Sequence, residues 1–117
     1  MVSAQVESGS GSHQVIRVAL SKDDAQSIKD REIYFSIVVA DCNNLANRFP
    51  IEAYISQEPA SEFNFPITGD FLIAEGSIPD QVFRGIASPC VSLQGGSYFF
   101  GKLESESIPL KKTSRLP

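Results

Sequence analysis

Histidine and cysteine, which most nucleophilic and metal sites require, are scarce in this sequence. Its 117 residues include one histidine, His13, and two cysteines, Cys42 and Cys90. His13 stands in a stretch of glycine and serine, where a side chain cannot be held within the tolerance that catalysis needs. The sequence thus argues against a Ser–His–Asp triad, a Cys–His pair and a zinc or multi-histidine site. We expect no metal and no cofactor, and the sequence favours a non-catalytic protein over an enzyme.

Positive charge and long apolar runs are also lacking. The sum of charged side chains gives a net charge of -4, whereas binding to nucleic acid requires clustered Lys and Arg. No stretch reaches the apolar length of a membrane span, and residues 1–14 lack the apolar centre of a signal peptide. We therefore expect no nucleic-acid partner, no membrane span and a cytoplasmic location, or secretion if a signal peptide has been removed.

The composition favours β-structure. Hydrophobic residues make up 42% of the chain and charged residues 21%, as is ordinary for a globular domain. The apolar set is rich in isoleucine, valine and phenylalanine and contains no tryptophan; β-branched and aromatic side chains suit the pleated surface of a sheet. We predict a flexible Gly/Ser-rich arm over residues 1–13, a single β-rich domain over residues 14–104 and an extended C-terminal tail over residues 105–117.

Alternation of apolar and polar residues predicts the strands. Residues 15–20 place apolar side chains on one face, with period two. Residues 33–40 are apolar on both faces, which is typical of a central strand or of one that lines a barrel. An Asp–Cys–Asn–Asn break follows, and we predict a hairpin that returns through residues 51–55. A second hairpin is predicted between residues 63–67 and residues 71–75.

A third hairpin and short helices complete the pattern. The glycine pair at 95–96 is predicted to form the turn between strands at residues 90–93 and 98–103. Ser21 and the acidic residues after it suit either a helix of about two turns or an ordered polar loop, and Pro79 suits the start of a single turn. About six to seven strands with at most two short helices predict a mostly β fold. An antiparallel β-sandwich and a small β-barrel both fit this pattern.

The two cysteines leave two interpretations open. Cys42 and Cys90 each stand at a strand end beside a turn, so a folded sheet could bring them together. A disulfide between them would stabilise the fold by about 4 kcal/mol on the chain-entropy model. The alternative is two unrelated buried thiols, which a cytoplasmic location favours.

Aromatic residues provide the hypothesis about function. Tyr34, Tyr54, Tyr98 and Phe100, with Lys102 on the face of the last two, are candidates for an exposed aromatic surface. They suggest a non-catalytic binding module that takes a protein partner or a small ligand through a sheet face or a barrel mouth. In the alternative interpretation, the aromatic side chains on both faces of the last strand are buried in the core, and there is no exposed aromatic surface.

Three other functions remain open at this stage. One is a small histidine-free barrel enzyme that uses an apolar lumen, and another is a secreted effector or adhesion domain stapled by a disulfide. The third is a subunit that forms a homo-oligomer by pairing exposed strand edges.

Overall fold

The computed structural model describes residues 3–8, 12–97, 101–105 and 107–112. These residues form eleven strands, two α-helices and one turn of 3-10 helix. The strands are β1 (Ser3–Ser8), β2 (His13–Ser21), β3 (Tyr34–Asp41), β4 (Asn44–Glu52), β5 (Tyr54–Ile55), β6 (Glu58–Pro59), β7 (Phe71–Pro79), β8 (Pro89–Ser97), β9 (Gly101–Glu104), β10 (Ile108–Pro109) and β11 (Lys111–Lys112). The helices are α1 (Lys22–Asp30) and α2 (Asp80–Arg84), and the 3-10 turn is η1 (Ala60–Glu62).

The strands form two sheets that enclose a common core. Sheet A has the order β11-β1-β2-β7-β5-β6, and sheet B has the order β10-β8-β3-β4, with β9 paired to β8. All pairings are antiparallel except that of β1 with β11. The predicted mostly β fold is confirmed. Of the two architectures left open, the described residues form a sandwich and no closed barrel.

The core follows from the period-two pattern of the long strands. Ile16, Val18 and Leu20 of β2 are buried in one cluster with Ile37 and Val39 of β3, and this cluster includes side chains of both sheets. The predicted central strand over residues 33–40 is β3, which pairs with β4 on one side and β8 on the other. The predicted return hairpin is also present, because β4 runs antiparallel to β3.

The two helices begin where local chemistry favours them. Ser21 is the N-cap of α1, and its hydroxyl accepts a hydrogen bond from the backbone N–H of Asp24 at 3.1 Å. Ala25 and Ile28 bury the inner face of α1 against the core. Of the two alternatives predicted for the residues after Ser21, the helix is therefore the one that the structure has. The second helix, α2, follows Pro79, as the sequence predicts.

Part of the predicted flexible arm is a strand. β1 pairs with β2 along its whole length, and its Ala4 and Val6 are buried in the core. These two apolar residues are two positions apart, so both side chains face the core. Ser3–Ser8 of the predicted arm therefore form a paired strand, a short alternation that the glycines and serines after it hide in the sequence.

His13 and the tail are also paired with the sheets. His13 begins β2, opposite Pro79 of β7, and its side chain is exposed. The argument that this histidine lies in a flexible arm is therefore wrong. The remaining argument against a catalytic or metal site that uses histidine is that the chain has one histidine. The tail predicted from residue 105 is extended in β10 and β11, but it is paired there with β8 and β1.

Two predicted hairpins differ from the structure. Residues 63–67 form no strand: Phe63 has a left-handed backbone (φ 56°) and Pro66 has no N–H for a ladder. β7 pairs instead with β2 along its full length. Gly95 and Gly96 lie inside β8 rather than in a turn, and they pair with β3 on one side and β9 on the other.

A disulfide closes one end of sheet B. Cys42 and Cys90 are bonded, with their Cα atoms 5.1 Å apart, and they stand 48 positions apart in sequence. Cys90 lies opposite Ala40 in the β3–β8 ladder, and the N–H of Cys42 donates to the carbonyl of Ser88 at 2.6 Å. Of the two interpretations of the cysteines, the structure has the bonded one.

Candidate functional site

The candidate site is a cleft on the outer face of sheet B, with a volume of about 420 Å³. Ile37 and Val39 point into the core, so the even-numbered residues of β3 face the opposite side of the sheet. At this end of the sheet, η1 lies beside β3 and borders the opening. The residues that line the cleft are Tyr34, Phe35, Ser36, Pro50, Ile51, Glu52, Ser61, Gln94 and Gly95.

Tyr34 supplies an aromatic surface at the edge of the cleft. Its side chain is 57% exposed, although it begins the central strand of sheet B. The ring of Phe63 contacts it in a T-shaped arrangement, with centroids 5.2 Å apart and planes at 66°. Phe63 lies at the end of η1 with a left-handed backbone. The edge contact therefore supports the Tyr34 ring while leaving much of its surface accessible to a ligand.

Glu52 and Tyr54 form a hydrogen-bonded pair beside Tyr34. The Tyr54 hydroxyl donates to Glu52 Oε2 at 3.1 Å. This hydrogen bond raises the pKa of Tyr54 above its ordinary value of 10.0, and the negative charge of Glu52 and partial desolvation raise the pKa further. Glu52 lines the cleft and lies opposite Ser36 in the β3–β4 ladder. The two tyrosines thus flank one carboxylate.

Arg48 and Gln94 form a second pair, which crosses the central strand. Arg48 lies opposite Ala40, and Gln94 lies opposite Ser36. Arg48 Nη1 donates to Gln94 Oε1 at 3.0 Å. Val38 lies midway between those two ladder positions, so this hydrogen bond crosses β3 near Val38. Val38 is buried, as are Ala40, Cys90 and Ser92 on the same face of the sheet.

Gly95 allows the close approach of two strands at the floor of the cleft. A Cβ atom at this position would overlap the carbonyl oxygen of Tyr34 and come within 2.7 Å of the Cα atom of Phe35. A side chain cannot be accommodated there without moving the β3 backbone. The glycine therefore allows this end of β8 to lie against β3.

The structure brings together only part of the predicted aromatic surface. Tyr34 lines the cleft, and Tyr54 reaches it through Glu52. Tyr98 and Phe100 lie outside the described residues. The backbone of Lys102 lies in β9, opposite Gly96.

Sequence reasoning missed Arg48, Glu52 and Gln94 as site residues. Each is polar and alternates with an apolar core position along its strand, which is the ordinary pattern of a solvated sheet face. The missing information was that β4 and β8 both flank β3.

A second surface lies on the outer face of sheet A. Phe71 and Ile73 of β7 are 56% and 44% exposed, and they lie two positions apart on the same face. Beside them, Arg17 of β2 pairs with Glu75 of β7 at 3.6 Å. Tyr54 of β5 lies opposite Glu75 and borders a cleft of about 360 Å³ with both charged residues.

Within the part of the chain that the structure describes, no helix has the length and apolar character needed to cross a membrane. In the same residues, no three or more His, Cys, Asp and Glu side chains come together as a metal-binding group. Comparison of the chain with protein-family models, with curated proteins and with solved structures gives no significant match.

Proposed function

We propose that this domain is a non-catalytic binding module that holds a small ligand in the cleft beside Tyr34. The observation that carries the proposal is the exposed Tyr34 ring above a cleft of about 420 Å³. That volume falls within the roughly 300–1,000 Å³ typical of small-molecule sites, which combine apolar surface with a few placed polar groups. Glu52 and Gln94 are the polar groups placed here, each held by a hydrogen-bonded neighbour.

The arrangement of these side chains supports binding rather than chemistry. Among the described residues, Glu52 is the one carboxylate that lines the cleft, so these residues offer no carboxylate pair for an acid–base mechanism. The alternative of an enzyme with an apolar lumen requires a closed barrel, and the described strands form an open sandwich. Preorganised polar side chains lose little conformational entropy on binding, which favours recognition.

A screen of a fragment library by amide NMR spectroscopy tests the proposal. We expect fragments that bind to shift the amide signals of Ser36, Glu52 and Gly95 at the cleft. Tyr34→Ala should abolish these shifts, because it removes the aromatic surface. Phe71→Ala is the matched control: its side chain is exposed to almost the same extent, but it lies on the other sheet. If fragments cluster elsewhere, or bind Tyr34→Ala equally well, the proposal is wrong.

Association with a protein partner is a second candidate, favoured by the outer face of sheet A. Phe71 and Ile73 expose apolar surface next to the ion pair of Arg17 and Glu75. Aromatic residues and arginine are enriched at the centres of protein interfaces. This candidate predicts that Phe71→Ala weakens partner binding while Tyr34→Ala has no effect, which is the reverse of the outcome for the cleft.

We also propose that the domain works in an oxidising compartment rather than in the cytoplasm. The bond between Cys42 and Cys90 supports this location, because disulfides persist in oxidising compartments and are rare in reducing ones. Alkylation of free thiols in the native source, followed by mass analysis, tests it. If both cysteines are alkylated, they are free thiols in the native source, and the cytoplasmic location is supported instead.

A further inference from the structure

We infer that the ligand of the Tyr34 cleft is an uncharged, polyhydroxylated molecule such as a sugar ring. This inference rests on the proposed function and names the chemical class that the same cleft takes. It follows from three properties of the residues described above: the balance of charge, the directions of free donors and acceptors, and the aromatic surface.

The two described charged side chains at the cleft, Glu52 and Arg48, have opposite signs. Glu52 contributes one negative charge, and Arg48 contributes one positive charge through its hydrogen bond to Gln94. The carboxylate of Glu52 would repel an anionic ligand such as phosphate, and the guanidinium of Arg48 would repel a quaternary ammonium ion. Among the described residues, Glu52 is the charged residue that lines the cleft, and the Arg48 guanidinium lies beside this lining on Gln94. A neutral ligand avoids both repulsions, and its binding does not depend on releasing counterions.

The two hydrogen-bonded pairs leave one donor nitrogen, on Gln94, and one acceptor oxygen, on Glu52, available to a ligand. Arg48 has only donors, so the bond at 3.0 Å fixes the carbonyl oxygen of Gln94 towards Arg48. The amide nitrogen of Gln94 is then turned away from the guanidinium and can donate to a ligand. At Glu52, Oε2 accepts from the Tyr54 hydroxyl. Oε1 is the second acceptor atom of that carboxylate and can accept from a ligand.

Adjacent hydroxyl groups match this combination. A hydroxyl both donates and accepts, so one hydroxyl of a vicinal pair can donate to Glu52 Oε1 while the next accepts from the amide of Gln94. Ser36 and Ser61 add two hydroxyls that can rotate to either role. The carboxylate forms a charge-assisted hydrogen bond, which is stronger than a bond between neutral groups.

Tyr34 supplies the apolar contact that a sugar ring also requires. One face of a pyranose carries mainly C–H groups, and these pack against the face of an aromatic ring. The edge contact from Phe63 holds the Tyr34 ring in place, so little motion is lost when a ligand packs on it. Removing an aromatic platform of this kind is expected to weaken binding by about tenfold or more.

Amide NMR titrations with defined probes test the inference. The probes are the methyl glycosides of glucose, galactose, mannose and N-acetylglucosamine, with inorganic phosphate and tetramethylammonium as charged probes. We expect at least one glycoside to shift the amide signals of Ser36, Glu52 and Gly95, and both charged probes to leave them unchanged. Tyr34→Ala and Glu52→Gln should each weaken glycoside binding by about tenfold, and Phe71→Ala should leave it unchanged.

A conservative variant separates recognition from folding. Tyr34→Phe keeps the ring and removes the hydroxyl, so it should retain glycoside binding to within about threefold, and all variants should keep a dispersed amide spectrum. If phosphate or tetramethylammonium binds at the cleft and no glycoside does, the ligand class is wrong while the proposed function stands. If neither the glycosides nor the fragment library binds there, both are wrong. Glycoside binding that survives Tyr34→Ala also overturns the inference.

Discussion

Reduction of the disulfide should destabilise this domain by an amount that its position in the chain determines. The bridge joins residues 48 positions apart. Releasing a loop of that length restores conformational freedom to the unfolded chain and lowers the free energy of unfolding by about 4 kcal/mol at room temperature. A domain of this kind is stabilised by roughly 5–15 kcal/mol in total. With a denaturant dependence of roughly 1–3 kcal/mol per molar urea, the midpoint should fall by about 2 M.

Urea unfolding followed by circular dichroism measures this effect. The oxidised protein, the reduced protein and the double variant Cys42→Ala/Cys90→Ala are compared under the same conditions. The reduced protein and the double variant should unfold at similar, lower midpoints, and reductant should not move the midpoint of the double variant. Intact mass confirms that the reduced sample has gained two hydrogen atoms. If full reduction leaves the midpoint unchanged, the loop-closure argument is refuted.

Three further predictions concern the glycines, the cleft pair and the first helix. Gly95→Ala should cost at least about 3 kcal/mol because its Cβ overlaps the β3 backbone; Gly85→Ala has room, its nearest contact being 3.4 Å, and should change stability by less than about 1 kcal/mol in urea unfolding. Glu52→Gln should lower the pKa of Tyr54 towards 10.0, measured by ultraviolet titration. Because folding raises this pKa, its stabilising contribution is complete below pH 10.0 and is lost as the pH rises through the folded-state pKa. Ser21→Ala should lower stability by about 1 kcal/mol in thermal unfolding, since it removes the N-cap of α1.

Much of the fold could be predicted because it depends on local patterns. The strand over residues 33–40 was predicted from apolar residues on both faces, and β3 is indeed paired on both sides. The middle of β3 is buried on both faces, whereas Tyr34 at its start is exposed. Ile37 and Val39 pack in the core, and Val38 and Ala40 are buried on the opposite face, where the hydrogen bond between Arg48 and Gln94 crosses the strand. The pattern predicted burial on both faces but could not show that the outer face is exposed at the start of the strand.

The errors arise where distant contacts decide the conformation. Phe65 alternates with polar residues as a strand residue would, yet it is buried in an irregular segment. Its carbonyl accepts from Lys29 Nζ at 2.9 Å, and the same ammonium lies 5.8 Å from the centre of its ring. The turn assigned to Gly95 fails for a similar reason. A glycine is required there by the backbone of β3, some sixty positions earlier in the chain, and not by a local reversal.

The candidate site was harder to predict than the fold because its polar groups act in hydrogen-bonded pairs. The distance along the sequence between the two members of a pair differs greatly from one pair to the other. Glu52 and Tyr54 are two positions apart, but they approach each other across the break where the chain leaves sheet B for sheet A. Arg48 and Gln94 are 46 positions apart and meet only because β4 and β8 flank the same strand. Taken singly, each side chain fits an ordinary solvated surface. The proposed binding role depends on the relation between them: each pair occupies one hydrogen-bonding atom of a residue that lines the cleft and leaves the other for a ligand.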